Sequence, residues 1–239
     1  MGKQKKNSNY ATEKRAQVKN EKEKAEQVRK KKKLLVSILI PTVSVLLLIG
    51  LIVGLGSCYG WFYKNPNSDL EITHHASIKI EGYDETLHVE LYGKAAPTTV
   101  NKFVSAAKNG KYNGTSFFKM IEDVMACGGD YLDMNEIGAN IKGEFSENNF
   151  DNPVKHVRGT ISMEKTGTKN SDPSKFFIVM DTSDEITERF DGKYAAFGTV
   201  IEGMEIIDEI VKNTQKGENG DVSYAHQPKI ESISIHDAH

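Results

Sequence analysis

Short apolar segments separated by turn-forming residues run through the C-terminal part of this 239-residue chain. In the first two segments, residues 77–80 and 87–91, apolar side chains occupy alternate positions, which is the period of a half-buried strand. Gly82 and its neighbours between these segments are typical of a hairpin turn. Similar segments follow at 116–121, 159–163, 175–180, 195–200 and 229–235. Many short strands of this kind predict a closed antiparallel barrel or a β-sandwich.

Two helices are predicted among these strands. Pro97 suits the first turn of a helix, and Gly110 stands where a left-handed C-terminal cap is expected. Between them, apolar residues recur with the spacing of one helical face: Val100, Phe103, Val104 and Ala107. A second amphipathic pattern covers residues 203–211. Each helix is therefore expected to pack one face on the core.

The N-terminal part of the chain has a different composition. Residues 1–33 hold 13 Lys/Arg against 4 Glu, a net charge of +9, although the whole chain has a net charge of −2. Residues 34–55 carry no charge and are long enough to cross a hydrocarbon core of about 30 Å as a helix. Because basic residues precede this span, the positive-inside rule predicts a cytoplasmic N-terminus.

These patterns divide the chain into four regions. They are a basic cytoplasmic tail (1–33), a transmembrane helix (34–58), a juxtamembrane linker (59–75) and a folded extracytoplasmic domain (76–239) in the cell membrane of a bacterium. Two alternatives to a retained helix stay open. The basic and apolar segments also fit a cleaved signal peptide, and Leu-Gly-Ser-Cys at 55–58 resembles a lipobox, which would anchor a lipoprotein at Cys58.

Several classes of function lack support in the sequence. Attraction to anionic lipid explains the basic tail, so no nucleic-acid partner is predicted. The seven histidines lack a recognisable ligand spacing, and neither a metal ion nor another cofactor is predicted. There is no Gly-x-Ser-x-Gly segment, so a hydrolase is not indicated. The two cysteines, Cys58 and Cys127, lie in different regions, which excludes an internal disulfide framework.

Four ordered motifs resemble the cyclophilins, a family of peptidyl-prolyl cis-trans isomerases. The motifs are Pro-x-Thr-Val-x-x-Phe at 97–103, Phe-Phe-Lys-Met-Ile-Glu-Asp-Val-Met-Ala-Cys-Gly-Gly-Asp at 117–130, Phe-Phe-Ile at 176–178 and Phe-Asp-Gly-Lys-x-x-x-Phe-Gly at 190–198. The resemblance covers about residues 76–237. It implies a mainly β fold, a closed eight-stranded antiparallel barrel capped by two helices, with an active groove on the outer face.

The resemblance also implies a catalytic cation. Rotation about an X-Pro bond must overcome a barrier of about 18–20 kcal/mol, and a positioned cation can stabilise the twisted amide selectively. The family uses an arginine, and the matching residue here is Lys119. A lysine lacks the planar fork of arginine, so we expect Lys119 to be a weaker electrophile and the activity to be reduced.

Ten substrate-binding residues follow from the same resemblance. Four of them match the apolar pocket for the proline ring: Val124, Met125, Phe177 and Phe190. Cys127 replaces a glutamine, Arg189 a tryptophan and Tyr194 a histidine. The Ala-Asn-Ala backbone clamp of the family becomes Glu164-Lys165-Thr166. Three of the replacements are charged: Glu164, Lys165 and Arg189. They either adapt the groove to charged residues flanking proline or reflect drift on a surface under little selection.

The sequence thus predicts a monomeric, membrane-anchored prolyl isomerase. Its substrates are expected to be proline-containing polypeptides, secreted or surface proteins that fold outside the membrane. The alternative is a catalytically weak or inactive proline-peptide-binding or chaperone module on the same fold, because the cation and its amide neighbour are both altered. In a third hypothesis the cytoplasmic tail is the functional part of a scaffold protein.

Overall fold

The computed structural model describes residues 24, 27, 29, 30, 65–130 and 140–238. The chain divides into two units, Met1–Lys64 and Asn65–His239, and the four described residues of the first are helical and exposed. Within these described ranges, no helix is both long enough and apolar enough to cross a membrane. The predicted span at 34–55 and Cys58 lie outside the described residues.

The described part of the second unit contains nine strands and three helices. The strands are β1 (His74–Ile80), β2 (Thr86–Leu91), β3 (Ser116–Ile121), β4 (Met125–Gly129), β5 (Ile141–Lys142), β6 (Thr160–Thr166), β7 (Asn170–Val179), β8 (Ala195–Glu202) and β9 (Ile230–Asp237). The helices are α1 (Pro97–Lys108), α2 (Asp184–Phe190) and α3 (Met204–Asn213). Short 3₁₀ turns occur at Ser146–Asn148 and Tyr224–His226.

All strand pairs are antiparallel and form one curled sheet. Its order is β3-β4-β7-β6-β8-β2-β1-β9, and β5 pairs with the start of β7. The mainly β prediction is confirmed, but the prediction of a closed barrel is wrong. The end strands meet only at one end, through a bridge between Ser116 and Lys229 and a few flanking backbone hydrogen bonds, such as that from Ile230 N–H to the Thr115 carbonyl at 2.7 Å. Beyond Phe117 the outer edge of β3 bonds instead to the 220–222 segment, with Met120 N–H donating to the Gly220 carbonyl at 2.8 Å, so no continuous ladder joins β3 to β9.

The core lies inside the curled sheet and follows the alternation in the sequence. Ala76, Ile78 and Ile80 of β1 are fully buried, whereas the residues between them are partly exposed. Phe103 of α1 packs against the rings of Tyr112 and Phe197, with centroids 5.2 and 5.1 Å apart. The two predicted helices pack as expected, because α1 and α3 each bury one apolar face, and Gly110 adopts the predicted left-handed conformation, with φ of 67°.

A distant carboxylate caps α1. The helix has no side-chain cap from Ala96 and no acidic residue in its first turn. Instead, the buried Glu144 accepts hydrogen bonds from the backbone N–H groups of Thr98 and Thr99, both at 2.9 Å. These groups would otherwise be unpaired at the helix start, so Glu144 replaces a local cap.

The prediction of only two helices is also wrong, because α2 had no sequence signal of its own. It has seven residues and buries only Ile186 and Phe190, one turn apart. So short an apolar pattern does not distinguish a helix from a loop. This helix covers the outer face of the sheet and brings Phe190 to the candidate site.

Candidate functional site

A row of side chains crosses four adjacent strands on the outer face of the sheet. Lys119 of β3 pairs with Cys127 of β4, which pairs with Phe177 of β7, and Phe177 pairs with Ser162 of β6. Directly opposed residues on neighbouring strands share a face of the sheet. The strand register therefore brings Lys119, Cys127 and Phe177 together, although they are far apart in the sequence.

A bulge in β3 places Lys119 on this outer face. Phe117 pairs with Gly128 and Lys119 with Cys127, so Phe118 is an extra residue in the ladder. Strict alternation would put Phe117 and Lys119 on the same face, but Phe117 lies in the interior core and Phe118 packs in the outer cluster. Such a bulge redirects a side chain, and here it turns Lys119 away from the core.

The predicted apolar pocket forms one cluster around Phe177. Phe190 lies 5.1 Å from Phe177 between ring centroids, and Tyr194 meets both rings edge-on at 5.3 and 5.4 Å. Val124 and Met125 are partly buried and pack against the same cluster. Phe177 itself has 0% of its surface exposed. In this conformation the chain's own side chains cover the pocket floor, which the sequence did not predict.

The ammonium group of Lys119 pairs with a residue that sequence reasoning missed. Lys119 Nζ lies 3.6 Å from Asp221 Oδ1, and the Lys119 side chain is 32% exposed. Asp221 belongs to the loop that pairs with the outer edge of β3, about a hundred positions along the chain. A cavity of about 540 Å³ opens at this edge between β3 and residues 216–221. Lys119 therefore lies between this cavity and the aromatic cluster.

The thiol of Cys127 is hydrogen-bonded to another side chain of the protein. It donates a hydrogen bond to Glu164 Oε1 at 3.3 Å and has no exposed surface. Burial raises the pKa of Cys127 above its ordinary range, and the nearby Glu164 carboxylate raises it further. The thiol therefore stays neutral, which argues against a reactive nucleophile at this position.

Of the remaining predicted groove residues, Lys165 and Arg189 contact the cluster and Thr166 does not. Lys165 Nζ lies 4.5 Å from the centroid of the Tyr194 ring, and the guanidinium carbon of Arg189 lies 5.7 Å from that of Phe190. Thr166 ends β6 and is exposed, with no described contact to the cluster. The structure thus brings nine of the ten predicted binding residues to one surface and leaves Thr166 at its margin.

A buried polar network beneath the cluster was also missed. His156 is 1% exposed, and its ring lies parallel to that of Phe177 with centroids 6.2 Å apart. Its Nδ1 lies 2.8 Å from Asp191 Oδ1, and its Nε2 lies 3.0 Å from Ser162 Oγ. A carboxylate accepts only, so we assign the neutral tautomer in which Nδ1–H donates to Asp191 and the Ser162 hydroxyl donates to Nε2.

Burial lowers the pKa of His156, which keeps the ring neutral. Burial alone would raise the pKa of Asp191, but hydrogen bonds from His156 outweigh it and lower that pKa. Ser162 is fully buried, so this Asp-His-Ser arrangement supports the pocket from below and offers no accessible nucleophile. Across residues 65–130 and 140–238, no group of three or more His, Cys, Asp or Glu could hold a metal ion.

Comparison with known proteins places these observations in one family. A family model described as cyclophilin type peptidyl-prolyl cis-trans isomerase/CLD matches residues 75–238. A peptidyl-prolyl cis-trans isomerase of Acinetobacter baylyi is 39% identical over 128 residues, or 52% of this chain. Peptidyl-prolyl cis-trans isomerase A of Dickeya dadantii is 38% identical over 126 residues, also 52% of this chain. The chain spans 65% of the length of each of these two relatives.

Solved structures show the same fold. Two crystal structures of a cyclophilin type peptidyl-prolyl cis-trans isomerase from Cryptosporidium parvum align with TM-scores of 0.56 and 0.55, at 22% and 23% identity. They cover 71% and 69% of this chain and 100% and 99% of their own chains. The second was determined in the presence of the dipeptide Ala-Pro.

Proposed function

Because this chain belongs to the cyclophilin type peptidyl-prolyl cis-trans isomerase family, we propose that its C-terminal domain accelerates isomerisation of X-Pro bonds. The observation that carries the proposal is the row of Lys119, Cys127 and Phe177 across three adjacent strands. This row sets a cation beside an apolar aromatic cluster, and catalysis of amide rotation uses both of these features. The Ala-Pro dipeptide used with the Cryptosporidium relative supports proline-containing peptides as substrates.

The proposed mechanism needs no covalent intermediate. The aromatic cluster holds the proline ring, and the Lys119 ammonium stabilises charge that develops as the amide twists and loses resonance. Phe177 is covered in this conformation, so the side chains packed on it, which include Phe190 and Tyr194, must shift before a proline ring can reach it. The cavity beside β3 offers space for the polypeptide that flanks the proline.

We propose further that the active site is divergent. Lys119 is a point charge on a flexible stem, and Asp221 pairs with it at 3.6 Å. The thiol of Cys127 bonds to Glu164 and is not available to orient Lys119 or to bond substrate backbone. These contacts weaken the cation and leave the pocket unchanged, and they favour the second candidate function, a proline-peptide-binding module without appreciable turnover.

NMR exchange spectroscopy on an Ala-Pro peptide separates the two candidates. The full-length protein, purified in detergent, should accelerate cis–trans exchange, and Lys119→Ala should lower kcat more than it changes KM. Lys79→Ala is the matched control, because Lys79 is also a strand lysine with an ion pair, 3.5 Å from Glu231. Exchange at the uncatalysed rate with peptide binding intact would reject the isomerase in favour of the binding module.

We also propose that the domain works outside a bacterial membrane on proteins that are folding there. The support is the uncharged run at 34–55 and the basic run that precedes it. Digestion of sealed spheroplasts with an external protease should remove the domain and spare the N-terminal tail, and protection of the domain would reject this orientation. The intact mass of the membrane-extracted protein distinguishes a retained helix from cleavage or from lipidation at Cys58.

A further inference from the structure

Two cations lie on the aromatic rings that form the candidate pocket. Lys165 Nζ is 4.5 Å from the Tyr194 centroid, and the Arg189 guanidinium carbon is 5.7 Å from the Phe190 centroid. Arg189 is exposed and Lys165 is half-buried at the rim. We propose that Lys165 and Arg189 make the groove select substrates with an acidic side chain next to the proline. This inference rests on the proposed function of the same site.

The first support is that these cations have no carboxylate partner among the described residues. Other basic side chains of this domain do: Lys119 pairs with Asp221, Lys155 with Asp191 and Lys175 with Asp130. Lys165 and Arg189 instead rest on ring faces, a contact that leaves their hydrogen-bond donors available to a ligand. A carboxylate of a bound peptide can therefore pair with either cation without displacing an internal ion pair.

The second support is the charge of the side chains that lie directly on or beside the pocket rings. Glu164 lies beside the pocket, and both of its oxygens accept internal hydrogen bonds, from the Cys127 thiol at 3.3 Å and from the Lys165 backbone N–H at 3.2 Å. Lys119 and Asp221 form an ion pair, so their charges cancel. Lys165, Arg189 and Glu164 together carry a net charge of +1, and the helix that carries Arg189 also carries the exposed Asp184, Glu185 and Glu188. An acidic flanking residue that reaches the pocket rings is attracted to the two cations that lie on them, and a basic one is repelled.

The selectivity should be modest and sensitive to salt, because both cations are accessible to solvent. A partly exposed ion pair changes an affinity by on the order of two- to fivefold, and added salt screens it. We therefore expect kcat/KM to be higher by about this factor for a glutamate-containing peptide than for its glutamine isostere. Glu164→Gln should increase the preference, because it removes the opposing charge.

The experiment compares two peptide pairs with the full-length protein. The pairs are Ala-Glu-Pro-Ala with Ala-Gln-Pro-Ala, and Ala-Ala-Pro-Glu with Ala-Ala-Pro-Gln, which test the two sides of the proline separately. For each, kcat/KM from NMR exchange and Kd from chemical-shift titration are measured at low and high NaCl. Lys165→Met and Arg189→Met remove charge but keep an apolar stem, and each should bring the Glu/Gln ratio toward one.

Lys212→Met is the control, because Lys212 is exposed on α3, which is not part of the cluster. It should leave the Glu/Gln ratio unchanged. The proposal is overturned if the wild-type protein treats Glu and Gln peptides alike in both pairs, or if the double variant Lys165→Met/Arg189→Met keeps the wild-type ratio. Turnover of all peptides with equal kcat/KM rejects the selectivity alone. Tighter binding of Glu peptides without any turnover supports it and rejects the isomerase activity.

Discussion

Lowering the pH should destabilise the protein through one buried histidine beneath the pocket. His156 is 1% exposed and uses both ring nitrogens as a neutral imidazole, with Asp191 on one side and Ser162 on the other. Burial lowers its pKa in the folded protein, so the unfolded chain takes up a proton more readily. The stabilisation is therefore present above the ordinary histidine pKa of about 6.5 and is lost as the pH falls below it.

The size of the effect follows from proton linkage. If His156 stays neutral in the folded state between pH 7.5 and 5.5, one extra proton binds to the unfolded chain over this range. For an unfolded pKa of about 6.5, the free energy of unfolding then falls by about 1.4 kcal/mol. In urea this corresponds to a midpoint lower by about 0.5–1.4 M, for m-values of about 1–3 kcal/mol/M. The lowered pKa of Asp191 changes the free energy of unfolding only below about pH 4, outside this pH range.

The assay is urea unfolding at both pH values, followed by tyrosine fluorescence and circular dichroism, for wild type and His156→Gln. Glutamine can keep one donor to Asp191 and one acceptor for Ser162 but does not titrate. The other histidines are common to both proteins, so their contributions cancel in the difference between the two. We expect the wild type to lose about 1.4 kcal/mol more than the variant. Equal losses in the two proteins would refute the neutral, buried assignment of His156.

Three further predictions concern residues in and around the site. Glu144→Ala should lower the free energy of unfolding by about 3 kcal/mol, because it removes two charge-assisted hydrogen bonds from the start of α1. The control is Glu147→Ala at an exposed position, and equal thermal midpoints for the two variants would contradict the prediction. Gly129→Ala should prevent stable folding, since its Cβ would lie 2.3 Å from the Ser174 carbonyl oxygen at a φ of 98°, and a folded variant by circular dichroism would argue against that geometry. Cys127 should resist iodoacetamide until urea unfolds the protein, because its thiol is buried and its pKa is raised; rapid labelling of the native protein, read by peptide mass, would show an accessible thiolate.

Local sequence patterns predicted most of the strands and helices, because the spacing of apolar residues repeats with the period of the buried face of each strand or helix. The alternation at 77–80 and 87–91 lies within β1 and β2, and the apolar spacing after Pro97 lies within α1. Helix α2 was missed because its seven residues hold a single apolar pair. The closed barrel was expected from the family resemblance, but whether β3 pairs with β9 depends on the path of the 220–222 segment, which no local pattern reports.

In the candidate site, too, the sequence identified the residues, and the tertiary structure determined their contacts. Motif resemblance identified Lys119, Phe177 and Phe190 as members of one site, and strand register and packing place them on the same surface. The pairing of Lys119 with Asp221 and of Cys127 with Glu164 joins positions that only tertiary structure brings together. The packing of Phe190 and Tyr194 against Phe177 likewise depends on how α2 and its following turn pack on the sheet.

The sequence by itself determined the residue types of the site, the uncharged run near the N-terminus and the faces that strands and α1 bury, since each is encoded within a few neighbouring positions. Tertiary structure decided the bulge that turns Lys119 outward, the open edge of the sheet and the buried His156–Asp191 network. These features depend on contacts between segments distant in the chain, and their energies are set by burial and register that neighbouring residues do not specify.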